Sequence, residues 1–160
     1  MPCEDFRLKI ATTEDWEKIY RFYSSLDQED LYYRFFHMYV ISQEDARVLA
    51  RGGDHVTVLA MCGEEVVGEG TVYEDGEIAL IVDKSYRNRG IGKRIIEELI
   101  KIGREKGFER LTFYALRDNT AMIKLGEIAN FVIRYKGEIV VGERVLTETP
   151  LKTQHLERAN

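Results

Sequence analysis

Val82-Asp83-Lys84-Ser85-Tyr86-Arg87-Asn88-Arg89-Gly90-Ile91-Gly92-Lys93 follows directly on the apolar run Ile78-Ala79-Leu80-Ile81 and opens the most regular amphipathic segment of the chain. The run Ile78 to Val82 has no polar interruption, which suits a central strand buried on both faces. Downstream, Ile91, Ile95, Ile96, Leu99 and Ile100 recur at helical spacing, with Lys93, Arg94, Glu97, Glu98 and Lys101 on the opposite face and Gly107 placed as a C-cap. A strand ends, a basic turn follows, and a helix opens inside Gly-x-Gly. The first turn of a helix presents unpaired N–H groups and the positive end of the macrodipole. Glycines let a phosphate approach that backbone closely, so the segment reads as a cradle for a phosphate or pyrophosphate. Two familiar cradles are excluded. A P-loop requires Gly-Lys-Ser/Thr, but Arg94 follows Gly92-Lys93; a dinucleotide fingerprint requires a third Gly or Ala where Ile95 stands.

Working outward, Phe6 to Ala11 alternates as a strand, and Thr12-Thr13-Glu14-Asp15 gives a cap for a helix carrying Trp16, Ile19, Tyr20 and Tyr23. A second, aromatic-rich helix is expected over Glu29 to Met38, and a third, capped by Ser42, runs to Arg51 before Gly52-Gly53-Asp54. Val56 to Met61 and Glu65 to Tyr73 read as a hairpin about Gly63-Glu64, and Asp75-Gly76 turns the chain into the central strand. Beyond the long helix come a strand from Leu111 to Leu116 and a helix capped by Asn119 and running to about Ala129. Phe131 to Tyr135 and Glu138 to Val145 close the series as a second hairpin. The expected fold is a single α/β domain over residues 1–150, a mixed sheet flanked by helices, with 151–160 as a polar tail.

Composition narrows the function. The net charge of -5 argues against a general nucleic-acid binder, and no apolar stretch is long enough to span a bilayer. The N-terminus lacks an apolar signal stretch, so a cytoplasmic protein is expected. Cys3 and Cys62 make no disulfide framework, and His37, His55 and His155 have no ligand spacing, so no metal is expected. Charge is unevenly distributed: six acids and no base lie between Gly63 and Glu77, and five bases and no acid between Lys84 and Arg94. One region suits a cation and the next an anion, although a solvated hairpin beside a solvated helix start gives the same pattern.

Arg87-Asn88-Arg89-Gly90-Ile91-Gly92 resembles the Arg/Gln-x-x-Gly-x-Gly/Ala signature of the GNAT acetyltransferases, and Asn119 through Asn130-Phe131 resembles the second half of that domain. The similarity runs from Phe6 to Val145. It implies the GNAT fold, with a mostly antiparallel sheet splayed where acetyl-coenzyme A enters. It implies further that the backbone from Arg87 to Gly92 (Arg87, Asn88, Arg89, Gly90, Ile91, Gly92), after Asp83 and with Lys93, holds the pyrophosphate. Ile81 and Val82 would then pair with the pantetheine arm, and Asn119, Met122 and Lys124 would contact the coenzyme from the next helix.

Acetylating an amine requires a proton acceptor. Glu77 stands ten residues before Arg87, where GNAT lysine acetyltransferases carry their catalytic glutamate; Glu44, Asp54, Glu69 and Glu74 are the other acidic candidates. The family's Asn-x5-Leu-Tyr pattern supplies an acid for the departing thiolate, but here Asn119 leads to Leu125 and then Gly126. Water, Tyr73 or Tyr114 is left for that task. Cys62, beside Glu64 and Glu65, is a poor candidate for an acyl-cysteine intermediate, because the acids would raise its pKa; direct transfer is expected.

Phe22 to Leu26 and Asp30 to Phe36 resemble the front of the Pat group of protein lysine acetyltransferases, whose archaeal form acetylates the basic chromatin protein Alba. This implies a lysine on such a protein as acceptor, with the helix from Ser42 to Arg51 bordering or covering the acceptor site. A small-amine acetyltransferase, an N-terminal α-amine acetyltransferase and a non-catalytic acyl-coenzyme A sensor stay open as alternatives.

Overall fold

The computed structural model describes residues 3, 5–36 and 39–147. Strand β1 (Arg7–Ile10) leads through a 3-10 turn at Thr13–Asp15 into α1 (Trp16–Ser25), α2 (Gln28–Phe35) and α3 (Gln43–Arg51). Then come β2 (His55–Cys62), β3 (Glu65–Tyr73), β4 (Ile78–Val82), α4 (Ile91–Glu105), β5 (Arg110–Leu116), α5 (Thr120–Ile128), β6 (Val132–Lys136) and β7 (Ile139–Val145). The element order and types match the sequence reading, with ends moved by a residue or so. Helix α2 is the exception. It stops at Phe35 because Phe36 turns left-handed (φ 65°), and Met38 lies outside the described residues.

The sheet is built in two halves, β1-β2-β3-β4 and β5-β7-β6, and every strand pair within each half is antiparallel. Among the described residues a single parallel bridge, Glu77 to Thr112, with the Thr112 N–H donating to the Gly76 carbonyl at 2.9 Å, fastens the halves together. Past that bridge β4 and β5 diverge. The central strand is therefore not buried on both faces throughout: Ala79, Leu80 and Val82 are half-buried, because the edge of β4 that faces β5 has no strand upon it.

Two apolar layers sandwich the sheet. Helix α4 buries Ile91, Ile95, Ile96, Leu99 and Ile100 on one face. Each such side chain contributes about 1.5–3 kcal/mol relative to exposure. Close approach is possible because β3 carries Gly70, where a Cβ would stand 2.4 Å from Cγ2 of Ile95. On the other face α1, α2 and α3 pack Ile19, Phe22, Tyr23, Leu31, Ala46 and Ala50 against Leu59, Met61 and Ile81.

The cysteines overturn one expectation. Cys3 and Cys62 form a disulfide that ties the N-terminal segment to the end of β2, their Cα atoms 5.6 Å apart. No helix among the described residues is long and apolar enough to cross a membrane.

Candidate active site

The turn between β4 and α4 is ordered by its own polar groups. Asp83 accepts from the Ser85 N–H at 2.8 Å and caps the 3-10 turn Lys84–Tyr86. Asn88 (φ 64°) and Gly90 (φ 80°) then take left-handed conformations, so the chain folds back and releases the N–H groups of the first turn of α4. A groove of about 580 Å³ runs from this turn along β4 to α5. Ile81, Val82, Arg87, Asn88, Gly90, Ile91, Gly92, Lys93, Asn119, Met122 and Lys124 all line it. Asp83 and Arg89 do not: the first caps the turn, and the second donates to the Cys3 carbonyl at 2.9 Å. The Asn119 side-chain oxygen accepts from the Met122 N–H at 3.2 Å and fixes the start of α5.

The β3–β4 register sorts the backbone of β4. Asp83 N–H donates to the Val67 carbonyl and Tyr73 N–H to the Glu77 carbonyl, each at 2.9 Å, so residues 77, 79, 81 and 83 direct their polar groups at β3. The alternate residues, Leu80 and Val82, direct theirs into the splay. Ile81 thus lines the groove, but its main chain is engaged in the ladder opposite Glu69, and Leu80 takes its expected place as a free backbone partner. The Val82 carbonyl also accepts from Arg87 Nε at 3.2 Å.

Two bases of the turn are already partnered. Arg87 donates to the buried Asp30 at 2.9 Å, and Lys84 pairs with Asp27, so both anchor the turn to α2. Lys93 and Lys124 line the same groove and add positive charge to it.

Glu77 lies in a second cleft with Arg34, Asp54, Tyr73, Glu74 and Asp75. Burial, and then the Asp75 carboxylate, push its pKa above the ordinary glutamate value, while the Arg34 charge pulls the other way. Raising the pKa of a half-buried carboxylate makes its ionised form a stronger base than an exposed glutamate. Asp54 and Glu74 join it; the other two acidic candidates do not. Glu44 sits on α3 and lines neither cleft. Glu69 is fully buried and accepts from Tyr23 Oη, Thr71 Oγ1 and, at 3.4 Å, Arg34 Nη2, so it has no access to an acceptor amine. Tyr73 lines the cleft of Glu77, whereas Tyr114 is exposed on β5 outside both clefts. The missing tyrosine has a packing cause: a Cβ at Gly126 would stand 2.6 Å from the Phe113 ring, which fills the place.

Helix α3 packs on α1 and β2, lines neither cleft, and leads through Gly52 to Asp54. It borders the acidic cleft and does not cover it. Arg34, shared by both clefts, and Tyr33, beside Asp118 in the groove, were not singled out from sequence. The cue available was the spacing of Asp30 and Arg34 on one face of α2.

Two half-sheets fused at one bridge thus splay beside the start of α4, and the groove opens in the splay. Residues 11–140 match the model of the acetyltransferase (GNAT) family, and the chain belongs to that family. The fold matches the GNAT domain of S. lividans PAT at a TM-score of 0.82 and 25% identity, covering 88% of this chain and 90% of that one. It is also similar to PaiA N-acetyltransferase from Thermoplasma acidophilum, solved with coenzyme A (TM-score 0.69, 16% identity, 88% and 99% covered). A third likeness is to the ribosomal-protein-S5-alanine acetyltransferase of Vibrio fischeri (TM-score 0.74, 11% identity, 94% and 98% covered). The chain is an acetyl-coenzyme A-dependent acetyltransferase.

Proposed function

We propose that this enzyme transfers acetyl from coenzyme A to a lysine side chain of a protein, by direct attack in a ternary complex. The observation that carries the reading is the acidic cleft: Glu77, Asp54, Glu74 and Asp75 gather at the far side of β4 from the phosphate-cradling turn. The backbone from Arg87 to Gly92 with Lys93 would hold the pyrophosphate. The free edge at Leu80 and Val82 would hold the pantetheine arm, with Asn119, Met122 and Lys124 along α5. An ammonium drawn in by the carboxylates gives its proton to Glu77, and the neutral amine attacks the thioester carbonyl. The tetrahedral intermediate expels the coenzyme thiolate, and the second proton of the attacking nitrogen passes through water to that thiolate, leaving an amide, coenzyme A and protonated Glu77.

The likeness to the GNAT domain of a PAT protein favours a protein acceptor, and the acidic cleft favours a basic one. A DNA-binding chromatin protein such as Alba fits, and losing a lysine charge would weaken its hold on phosphates. The likeness to the S5-alanine acetyltransferase keeps an N-terminal amine as the second reading. Mass spectrometry of a basic-protein panel, Alba included, after incubation with acetyl-coenzyme A tests both. Side-chain acetylation supports the proposal, acetylation confined to N-termini supports the second reading, and acetylation of small amines alone refutes both.

A further inference from the structure

One face of the β3–β4 ladder carries, in register, Glu69 opposite Ile81, Thr71 opposite Ala79, and Tyr73 opposite Glu77. Arg34, from the last turn of α2, reaches this face with a side chain only 5% exposed. Its Nη2 donates to Glu69 at 3.4 Å, and the same side chain lines the cleft that holds Tyr73 and Glu77. Arg34 therefore lies along this face from Glu69, bordering both the cleft of Glu77 and the groove lined by Leu80 and Val82.

Burying a cation so completely is costly, and charged groups are kept in such places where paired or used. The pairing here is incomplete. Guanidinium offers five N–H donors, and Arg34 Nε is buried without a hydrogen-bond partner. Meanwhile Glu69 is overbuilt as a mere counter-ion: it is fully buried, with Tyr23 and Thr71 donating to it as well. Such an arrangement fixes the position of the guanidinium more tightly than charge balance requires.

We propose that Arg34 is a catalytic residue, donating to the acetyl oxygen as the thioester is attacked, and that Glu69 with Tyr23 and Thr71 positions it. The amine nitrogen forms its bond to the carbonyl carbon, the π pair moves onto oxygen, and Arg34 holds that negative charge. When the pair returns, the C–S bond breaks and the thiolate leaves, taking through water the second proton of the attacking nitrogen, the first having gone to Glu77 before the attack. The inference rests on the active-site reading but not on which amine is the acceptor.

Release of coenzyme A thiol, followed with a basic protein and with a small amine in parallel, separates this proposal from the choice of acceptor. Arg34→Met should lower kcat on the order of a hundredfold, as loss of an oxyanion donor does. Its coenzyme A Kd should change less than threefold, and added guanidinium should restore part of the rate. A fall in kcat that guanidinium leaves untouched, matched by a like loss of coenzyme affinity, would make Arg34 a structural lock only. Infrared difference spectra of bound acetyl-coenzyme A, labelled with 13C at the carbonyl, give a readout on the wild-type protein and on Arg34→Lys, whatever the fate of the methionine variant. The carbonyl stretch should lie below its value in water and move back in the lysine variant; a band at the water position in wild type would overturn the proposal.

Discussion

Glu77 is held where its proton affinity matters. Burial and the neighbouring Asp75 raise its pKa, so in the folded protein it binds a proton at a pH where an exposed glutamate has lost it. The sign for stability follows: the protonated form is favoured by folding, and that contribution fades as pH rises through the folded pKa. For activity the sign is opposite if Glu77 is the base proposed above, since it must be ionised to accept the amine's proton. The acid limb of kcat/KM is therefore expected above the ordinary glutamate value, and Glu77→Gln should remove that limb while lowering kcat/KM by about a hundredfold or more. A pH–rate profile of both proteins checks this, and an unchanged acid limb in the variant would assign it elsewhere. At Gly126 the constraint is steric. The Phe113 ring lies 2.6 Å from where a Cβ would stand there and still nearer the same point at Gly142, so Gly126→Ala overpacks the core. A loss of about 1–3 kcal/mol is expected in chemical denaturation. Gly126→Tyr, built to return the family's acid, should destabilise the protein further without raising kcat.

At the scale of elements, the turn between β4 and α4 is a dependant of α2. Two ion pairs join them, and they differ in weight. Lys84 and Asp27 are both about half exposed, whereas Asp30 is 3% exposed and holds Arg87 at 2.9 Å. Exposed pairs contribute about 0–1 kcal/mol, and a buried charged hydrogen bond roughly 1.5–3 kcal/mol. Asp27→Asn, which keeps an oxygen to cap α2 at the Asp30 N–H, should alter stability by no more than about 0.5 kcal/mol. Asp30→Ala should cost the larger amount. It should also weaken coenzyme A binding several-fold by calorimetry, because Arg87 and the backbone beside it lose their tether. Equal effects of the two substitutions would contradict this ranking. The same helix delivers Arg34, so α2 reaches both the groove and the acidic cleft.

Across the whole molecule, what was legible in the sequence was local. Helix α3 announces itself through Ser42 and its reciprocal cap with Asp45, and α4 through five isoleucines and leucines on one face. The groove follows from one turn and the helix after it, which is why most of the expected coenzyme contacts converge there. What escaped was long-range. Arg87 meets Asp30 across 57 residues, Tyr23 meets Glu69 across 46, and the burial of Glu69 depends on three elements converging. Alternation did place Glu69 in a strand, but nothing local told its face from that of a solvated acid. Cys3 and Cys62 are the extreme case: 59 residues apart, they meet only because β1 pairs with β2, Arg7 opposite Met61. Closing a loop of that length removes chain entropy from the unfolded state, by about 4 kcal/mol in the simplest account. Cys62→Ser, or incubation with a dithiol, should therefore lower the denaturation midpoint of the purified enzyme substantially. The groove and the acidic cleft contain neither cysteine, so kcat at a temperature well below the transition should be retained. Denaturant titrations with and without reductant, read beside kcat, decide the matter. Coincident midpoints would mean that the two thiols are not joined in solution, whereas a lowered midpoint with full activity would assign the bond to holding the N-terminal segment on the sheet.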